Sequence, residues 1–369
     1  MTDQIQLGVV GAAGRGMGYQ IPATEDERVK VEAVCDIVQE GAERAQEAFD
    51  AEEAYTDFHT MIWEASLDTV LIATPVEHHV AQSVAALKRD LNVLCEVPAG
   101  RTINECRDLV EAVNQSSGMF MLAENDVFRR EWMLVAELVS DGCFGDVYYA
   151  RSERVTNGKD HIEEALWRRT WRVERNGVTY PTHNLGPVGR WFLDDRIERV
   201  ACAGSGHHHI DPRGDPYDQE DTVVMLGKTE NDCLIVHRQD ILSERPAAGY
   251  RFELQGTKGC FESAAHSDDT HRISFADRNE NGRNWESLEE YADEYLPECW
   301  QNIPDIARDT GRNGGDYLVF ETFIDALVSG SDPAIDIHEG LDMTLPGLVS
   351  QQSIDSDGEW IHVPDSREW

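Results

Sequence analysis

The sequence predicts an α/β protein in two parts: an N-terminal doubly wound parallel sheet, then an α+β part with a large, mostly antiparallel sheet. Three observations predict this. Short apolar runs alternate with amphipathic stretches at first, runs of period two follow, and a glycine-rich turn comes directly after the first apolar run. The 369 residues suit two domains of roughly 100–200 residues each, which we place at 1–145 and 146–369.

The first part consists of apolar runs of strand length with helical patterns between them. The predicted strands are 5–10, 31–35, 68–73, 92–95 and 119–123. The predicted helices are 39–49, 77–89 and 102–116. Strands that alternate with helices over short connections are typical of a parallel sheet covered on both faces. Ligands of such sheets bind beyond the carboxyl ends of the strands, so polar residues there are candidate site residues.

The second part is dominated by alternation of polar and apolar residues. The predicted strands are 146–156, 196–204, 221–227, 232–238, 250–255 and 259–263. Glycines and charged turns separate these runs, which favours an antiparallel sheet that exposes one face. The predicted helices are 182–194, 315–329 and 339–350.

The composition is strongly acidic, with 70 Asp and Glu against 32 Lys and Arg and a formal charge of −38. A field this negative repels phosphate backbones, so we expect no nucleic acid partner. The acids are dispersed along the chain, and only five basic residues are lysine. Such a surface resembles that of cytoplasmic proteins from halophiles, in which molar salt shortens the Debye length to about 3 Å and screens self-repulsion. An acidic enzyme from a mesophile is the alternative.

Membrane, secretory and metal-binding signals are missing from the sequence. No stretch approaches the ~18 consecutive apolar residues of a membrane span, and no basic-then-apolar leader precedes the first run. The eight cysteines contain no C-x-x-C pair, which suits buried thiols in a reducing cytosol. On a strand, the rings of His207, His208 and His209 would point to alternating faces. We therefore expect a cytoplasmic protein with no membrane partner and no metal.

The turn after the first run carries Gly11, Gly14 and Gly16. Glycines there allow a tight turn and a close approach of backbone N–H groups to a pyrophosphate at a helix N-terminus. Asp36 ends the second predicted strand, 20 residues after Gly16. That is the spacing of an acid that hydrogen-bonds the adenosine ribose, and its charge would repel a 2′-phosphate. The sequence therefore predicts NAD rather than NADP as cofactor.

Three further strand ends carry polar residues that are plausible cofactor contacts. The first has Thr74, Pro75 and His78, the second has Glu96, and the third has Asn125. Because the carboxyl ends of parallel strands meet at one edge of a sheet, we expect these side chains near the glycine turn. Ordinary loop chemistry is the alternative for each of them.

These motifs together resemble a known family. The glycine turn, the Thr-Pro-x-x-x-His strand end and the Glu-x-Pro segment are similar to the Gfo/Idh/MocA oxidoreductase superfamily. Residues 175–187, RNGVTYPTHNLGP, and 255–259, QGTKG, resemble its NAD-dependent α-N-acetylgalactosaminidase branch. The resemblance implies a Rossmann domain, an open-faced C-terminal domain that binds substrate, a sugar or glycoside substrate and assembly into a homo-oligomer.

The resemblance also implies roles for individual residues. The cofactor positions that it implies are Gly14, Arg15, Asp36, Glu96 and Asn125. Tyr180 and His183 fall where the cofactor and the sugar meet, so His183 is expected to contact both. Arg168 falls at a substrate-contact position.

The chemistry is constrained by Val97, which stands where dehydrogenases of the superfamily usually have lysine. Valine cannot accept a proton, so Tyr180 and His183 remain as the proton-handling candidates. The resulting hypothesis is that NAD⁺ oxidises a sugar at C3, Tyr180 or His183 removes the acidified C2 proton, and the anomeric group leaves. Hydration and return of the hydride would complete a glycosidase-like cycle.

Two alternatives stay open. The protein is a net sugar or polyol dehydrogenase whose NAD(H) exchanges with solution, or it is a sensor that binds NAD and sugar without catalysis. If both residues have only structural roles, Tyr180 is a core aromatic residue and His183 forms hydrogen bonds at the start of a helix.

Overall fold

The structure is a computed structural model that describes residues 4–192, 195–246, 249–266, 268–278 and 284–369. Its strands are β1 (Ile5–Val10), β2 (Val29–Cys35), β3 (Glu53–Tyr55), β4 (Thr69–Ile72), β5 (Asn92–Cys95), β6 (Phe120–Leu122), β7 (Val147–Val155), β8 (Ile197–Gly204), β9 (Val223–Thr229), β10 (Leu234–Asp240), β11 (Gly249–Gly256), β12 (Gly259–Glu262), β13 (Arg272–Phe275), β14 (Glu286–Ser287) and β15 (Ile361–His362). Its α-helices are α1 (Gln20–Glu25), α2 (Gln39–Phe49), α3 (Phe58–Glu64), α4 (His79–Leu87), α5 (Ile103–Gln115), α6 (Arg130–Ser140), α7 (Lys159–Glu163), α8 (Leu166–Arg172), α9 (Thr182–Trp191), α10 (Ala292–Tyr295), α11 (Glu298–Gln301), α12 (Gly315–Ser329), α13 (Ile337–Asp342) and α14 (Leu345–Asp355).

The chain divides into two compact units, each of which contains more than one stretch of sequence. The first unit comprises Met1–Arg129, Asn302–Leu341 and Ser366–Trp369, and the second comprises Arg130–Gln301 and Asp342–Asp365. The sequence placed the boundary at residue 145, later than the structure has it. Helix α6 belongs to the second unit because its Trp132 packs against aromatic side chains there.

The first unit is built on a parallel sheet of six strands in the order β3-β2-β1-β4-β5-β6. This is the 3-2-1-4-5-6 order of doubly wound dinucleotide-binding folds. Strands β1, β4 and β5 are apolar runs because helices cover both faces of such a sheet; Leu7, Val9 and Val10 are almost fully buried. The predicted parallel sheet is confirmed. Strand β3 was not predicted, since its three residues Glu-Ala-Tyr carry no apolar run.

The second unit is built on a mixed sheet in the order β14-β13-β12-β11-β7-β10-β9-β8-β15. Strands β7 and β10 pair in parallel, and the other neighbours are antiparallel. Burial alternates along β9: Val223 and Met225 are buried, whereas Val224 and Leu226 are more than a third exposed. The predicted, mostly antiparallel sheet with one exposed face is therefore confirmed. Strands β13, β14 and β15 are short and were not predicted.

The buried face of the second sheet packs against α6 and α9 through an aromatic cluster. Trp132 of α6 lies 4.5 Å from Phe252 of β11, and Trp191 of α9 lies 5.4 Å from the same ring, between centroids. Phe261 of β12 packs edge-on against Trp191 at 5.9 Å. Rings of this size bury large apolar areas, so the cluster holds the C-terminal end of α9 at a fixed place over the sheet.

Each predicted helix is present and some differ at their ends, whereas α1, α3, α6, α7, α8, α10 and α11 were not predicted. Helices α2 and α12 have the predicted bounds. The predicted helix 339–350 is two helices, because the chain turns at Thr344 before Pro346 opens α14. Helix α9 ends at Trp191, and residues 193–194 of that prediction lie outside the described part of the chain. No helix in the described ranges has both the length and the apolar character needed to cross a membrane.

Candidate active site

The glycine turn after β1 is tight on one side and open on the other. Gly11 has a φ of +73°, and a Cβ there would lie 2.6 Å from the carbonyl oxygen of Ala73. A Cβ on Gly16 would lie 2.9 Å from the carbonyl oxygen of Gly11. A Cβ on Gly14 would meet nothing closer than 3.7 Å. The first two positions therefore require glycine for the turn, and the backbone at Gly14 is accessible to a ligand.

Asp36, at the end of β2, is hydrogen-bonded to this turn. One carboxylate oxygen accepts from the backbone N–H of Ala13 at 3.1 Å, and the other accepts from Val38 N–H at 3.2 Å. The predicted ribose-binding acid is therefore held beside the glycine turn. These residues fit a dinucleotide, since they combine an accessible backbone turn with a fixed carboxylate at the next strand.

Arg15 and Glu96, both predicted cofactor positions, contact each other. Arg15 Nε lies 2.6 Å from Glu96 Oε1, and the Tyr19 hydroxyl donates to the same oxygen at 2.7 Å. Burial lowers the pKa of Arg15, but Glu96, Tyr19 and Asp316 outweigh that effect and hold the pKa above its usual value. Burial and Glu96 raise the pKa of Tyr19, so its hydroxyl stays protonated.

Asp316 completes this network and was not predicted. It lies in the first turn of α12, is 1% exposed, and binds both terminal nitrogens of Arg15 at 2.6 and 2.7 Å. The predicted cofactor residue Asn125 donates from Nδ2 to Asp316 Oδ1 at 2.5 Å. Helix α12 begins close to that backbone, since a Cβ on Gly315 would lie 2.6 Å from Asn125 O. The only signal in the sequence is a carboxylate beside two glycines at the start of an apolar helix.

The strand end after β4 places its residues unequally. Thr74 donates from Oγ1 to Gln82 Oε1 at 2.7 Å, and Pro75 precedes a short 3₁₀ turn that contains His78. The side chain of His78 is exposed, whereas His79 is buried. His79 has Nδ1 at 3.0 Å from Pro98 O and Nε2 at 2.8 Å from Thr74 O. Burial lowers the pKa of His79, but Cys95 and the two carbonyl groups raise it to about 9.

The second unit gathers polar residues on the helix-covered face of its sheet. Gln239 of β10, Arg154 of β7 and Tyr250 of β11 form one row across three neighbouring strands. Gln239 accepts from the backbone N–H of Tyr180 at 3.1 Å and donates to Thr179 Oγ1 at 3.0 Å. The segment before α9 is thereby fixed over this row.

Tyr180 and His183, the predicted catalytic pair, lie side by side there. Their ring centroids are 4.9 Å apart with the planes at 79°, and His183 is 6.2 Å from the Tyr250 ring. His183 lies in the first turn of α9 and is 4% exposed. The turn at Pro181 sets the spacing that brings both rings together.

Two arginines lie against the Tyr180 ring, and neither of them was predicted. Arg154 and Arg172 place their guanidinium carbons 4.6 and 4.5 Å from the centroid of the Tyr180 ring. Arg168 Nη1 lies 3.3 Å from the exposed Glu164. Burial and Arg154 lower the pKa of Arg172 to about 10. Burial, followed by Arg154, lowers the pKa of His237 to about 3, so the imidazole on this face is neutral.

The histidine run at 207–209 lies outside the strands of the described residues, so the alternation of rings that a strand would impose does not apply. Asp221 accounts for the difference: it accepts from the backbone N–H of His208 at 2.8 Å and lies 3.1 Å from His209 Nδ1. The carboxylate fixes an irregular segment in place of a strand.

Family models match both parts of the chain. The model described as glycosyl hydrolase 109, C-terminal domain, matches residues 128–368. The model described as oxidoreductase family, NAD-binding Rossmann fold, matches residues 5–124. The predicted resemblance and the predicted cofactor, NAD, are confirmed.

Similar proteins cover nearly the whole chain. A glycosyl hydrolase family 109 protein from Solibacter usitatus (strain Ellin6076) is 28% identical over 95% of this chain and 85% of its own length. An alpha-N-acetylgalactosaminidase from Shewanella oneidensis is 24% identical over 98% of this chain and 85% of its own.

Solved structures are similar in fold. Levoglucosan dehydrogenase in complex with NADH and levoglucosan has a TM-score of 0.83 at 19% identity, and covers 98% of this chain and 100% of its own. Apo scyllo-inositol dehydrogenase from Lactobacillus casei has a TM-score of 0.75 at 19% identity, over 98% of this chain and 99% of its own. With its NAD-binding Rossmann domain followed by a matching C-terminal domain, the chain belongs to the glycosyl hydrolase 109 family.

Proposed function

We propose that this enzyme acts on a sugar or glycoside by transient, NAD-dependent oxidation at C3, followed by elimination and hydration. The observation that carries the proposal is the pairing of Tyr180 and His183 at 4.9 Å between ring centroids. Two side chains that can transfer protons lie together, while Val97 offers none at the Glu-x-Pro segment. The alpha-N-acetylgalactosaminidase among the relatives supports a glycoside as substrate.

The cofactor site that we propose uses the glycine turn at Gly11, Gly14 and Gly16 for the pyrophosphate and Asp36 for the ribose. Thr74, Pro75, His78, Glu96 and Asn125 contribute at the neighbouring strand ends, and His183 is a further predicted cofactor contact. When bound, NAD⁺ supplies the hydride acceptor and later returns the hydride. In this structure Arg15 is held by two carboxylates, so we assign it to fixing the turn rather than to a phosphate.

The proton steps fall to the second unit. In the proposal, either Tyr180 or His183 removes the C2 proton once C3 is oxidised, since a ketone acidifies its neighbouring C–H. The partner residue assists departure of the anomeric group, and water then adds to the enone. Arg168 orients the sugar. The paired carboxylates of ordinary glycosidases are not needed for this route.

The test is turnover of a glycoside that carries deuterium at C2. We expect an isotope effect and exchange of that deuterium with solvent water. Turnover without either result would contradict the elimination. Cofactor that stays bound through gel filtration, with turnover in the absence of added NAD, separates this route from a net dehydrogenase, for which NADH would accumulate.

The charge of the chain supports a proposal on location and habitat. We propose a cytoplasmic, halophilic protein, because 70 acidic residues are dispersed along the chain with only five lysines. In dilute buffer these negative charges repel one another. The free energy of unfolding is therefore expected to rise between 0.2 M and 2 M KCl; a salt-independent value would contradict the proposal.

The exposed face of the second sheet supports the proposed homo-oligomer. Val224 and Leu226 of β9 are 36% and 37% exposed, on the face opposite the buried Val223 and Met225. Apolar side chains on one open face are typical of an interface. Light scattering of Leu226→Asp should give a smaller particle than the native protein, whereas an unchanged mass would assign the contact elsewhere.

A further inference from the structure

Arg154 and Arg172 are two charged groups of the second unit that lie against the ring of Tyr180. Within the described residues, no carboxylate oxygen lies within 4.0 Å of either guanidinium. Nη1 of Arg154 and Nε of Arg172 are both buried and lack a hydrogen-bond partner. Both groups lie against the Tyr180 ring, and the sum of the two distances limits the separation of their central carbons to about 9 Å.

This arrangement does not follow from a shortage of acids. The chain has 70 Asp and Glu for 32 Lys and Arg. In the same unit Arg169, three residues before Arg172, binds Glu163 at 3.0 Å and Asp211 at 2.5 Å. Arg151, three residues before Arg154, pairs with Glu153 and Glu253. The neighbouring arginines thus have carboxylate partners, whereas the described residues place no carboxylate beside Arg154 or Arg172.

Two such cations held together are costly for the free protein. Burial removes water from a guanidinium, and a second positive charge nearby disfavours the charged form. Both effects are visible in the pKa of Arg172, which burial and Arg154 lower to about 10. An anion that reaches both groups would satisfy the unused N–H donors and offset the repulsion, since guanidinium binds carboxylate, sulfate and phosphate oxygens with charge-assisted hydrogen bonds.

We propose that Arg154 and Arg172 form an anion-binding subsite beside Tyr180, and that the sugar substrate carries an anionic group. The inference rests on the proposed function, because it assigns the substrate class of that same site. Carboxylate, sulfate and phosphate share the chemistry required. In the proposal, the two arginines bind the anionic group of the sugar. This contact orients the sugar beside the ring of Tyr180.

The test compares matched acidic and neutral ligands on the protein loaded with NAD. Methyl α-D-galactopyranosiduronate and methyl α-D-galactopyranoside differ only at C6, and the corresponding gluco pair controls for configuration. The 6-sulfate and 6-phosphate of the galactoside distinguish the three kinds of anion. Titration calorimetry at 0.5 M and 2 M KCl gives the dissociation constants. We expect at least one acidic sugar to bind at least tenfold more tightly than its neutral partner at both salt concentrations.

Variants assign that preference to the two residues. Arg154→Gln and Arg172→Gln should each reduce the ratio of acidic to neutral affinity at least fivefold, and Arg172→Lys should retain part of it. The matched control is Arg272→Gln, which removes one positive charge from an exposed pair with Glu262 in the same unit and should leave the ratio unchanged. Circular dichroism confirms that each variant is folded.

The outcomes separate the subsite from the proposed function. Equal affinity for acidic and neutral sugars in the unmodified protein would overturn the subsite, whether or not a variant folds. If neutral glycosides are turned over with NAD at that equal affinity, the proposed function stands without it. If the protein binds no NAD but prefers the acidic sugar, and Arg172→Gln abolishes the preference, the subsite stands and the proposed function fails. A loss in Arg172→Gln that is the same for acidic and neutral sugars would also overturn the subsite, because the arginine would then act only through Tyr180.

Discussion

Arginine is used in opposite ways in the two units. In the first, Arg15 is enclosed by Glu96 and Asp316, so that one positive charge meets two negative ones. In the second, Arg154 and Arg172 lie against one tyrosine ring, and among the described residues no carboxylate oxygen lies within 4.0 Å of either guanidinium. The first arrangement is complete without a ligand, whereas the second leaves donors unused. The first arrangement satisfies its charges within the protein, and in our proposal the second receives the anionic group of the substrate.

The largest effect is expected where the charges are unsatisfied. Tyr180→Phe combined with His183→Ala removes both candidate proton carriers, and the loss of general acid–base catalysis should lower kcat by between about 10² and 10⁴. The measurement is steady-state turnover of the glycoside that the native protein accepts best. The control is the affinity of the double variant for NAD, because an equal loss of NAD affinity would mean that the substitutions act on cofactor binding and not on catalysis. Unchanged turnover would remove the pair from the active site and favour the sensor alternative.

The next largest effect is expected in the saturated network. Asp316→Ala leaves Arg15 with Glu96 alone and removes the acceptor of Asn125. Loss of one partner from a fully buried ion pair costs about 3–5 kcal/mol, and because the Arg15 side chain is 36% exposed and keeps Glu96, we expect a loss of about 2–3 kcal/mol. Chemical denaturation should show that loss. The matched control on the same helix is Asp325→Asn, whose 59% exposed carboxylate pairs with Arg28 and should contribute at most about 1 kcal/mol. Equal losses would mean that burial does not distinguish the two pairs.

Alkaline pH should weaken the first unit through His79. The folded state raises the pKa of this histidine from 6.5 to about 9, so it binds its proton more tightly folded than unfolded. Its contribution is therefore fully present below about pH 6.5 and is lost as the pH rises through about 9, by no more than about 3 kcal/mol. Denaturation between pH 6 and 10 measures this. His79→Gln should flatten the curve; if the variant keeps the native slope, another group titrates.

The smallest expected effect concerns cofactor choice. Asp36→Ala removes the carboxylate beside the glycine turn, and the loss of its charged hydrogen bonds should weaken NAD binding by roughly tenfold to a hundredfold. Discrimination against NADP should narrow at the same time, since no charge then repels the 2′-phosphate. Fluorescence titration of both cofactors checks this. Glu40→Gln is the control, because it removes one exposed negative charge from the start of α2.

Local sequence patterns predicted most of the fold. The strand 5–10 and the helices 39–49 and 315–329 have their predicted bounds, because a continuous apolar run or an amphipathic period fills each element. The glycine turn with Asp36 and the Tyr180–His183 pair were likewise predicted, since each is carried by residues close in sequence. Strand β3 was missed because three residues hold no period.

The parts of the site that sequence reasoning missed depend on contacts for which the sequence has no motif. Asp316 lies 301 residues from Arg15, and no local pattern links them. Arg154 and Arg172 belong to a strand and a helix that meet only in the folded chain, and their lack of partners is visible only there. His78 was predicted, but it ends an exposed 3₁₀ turn, whereas the next residue, His79, is the first residue of α4 and is buried.

The most direct measurement follows the absorbance band of NADH on the purified protein, in concentrated KCl, as acidic and neutral glycosides are added without free cofactor. We expect the band to rise and then fall as each substrate is converted, with no net NADH left at the end. A protein that binds neither NAD⁺ nor NADH, or a band that no sugar changes, would contradict the account.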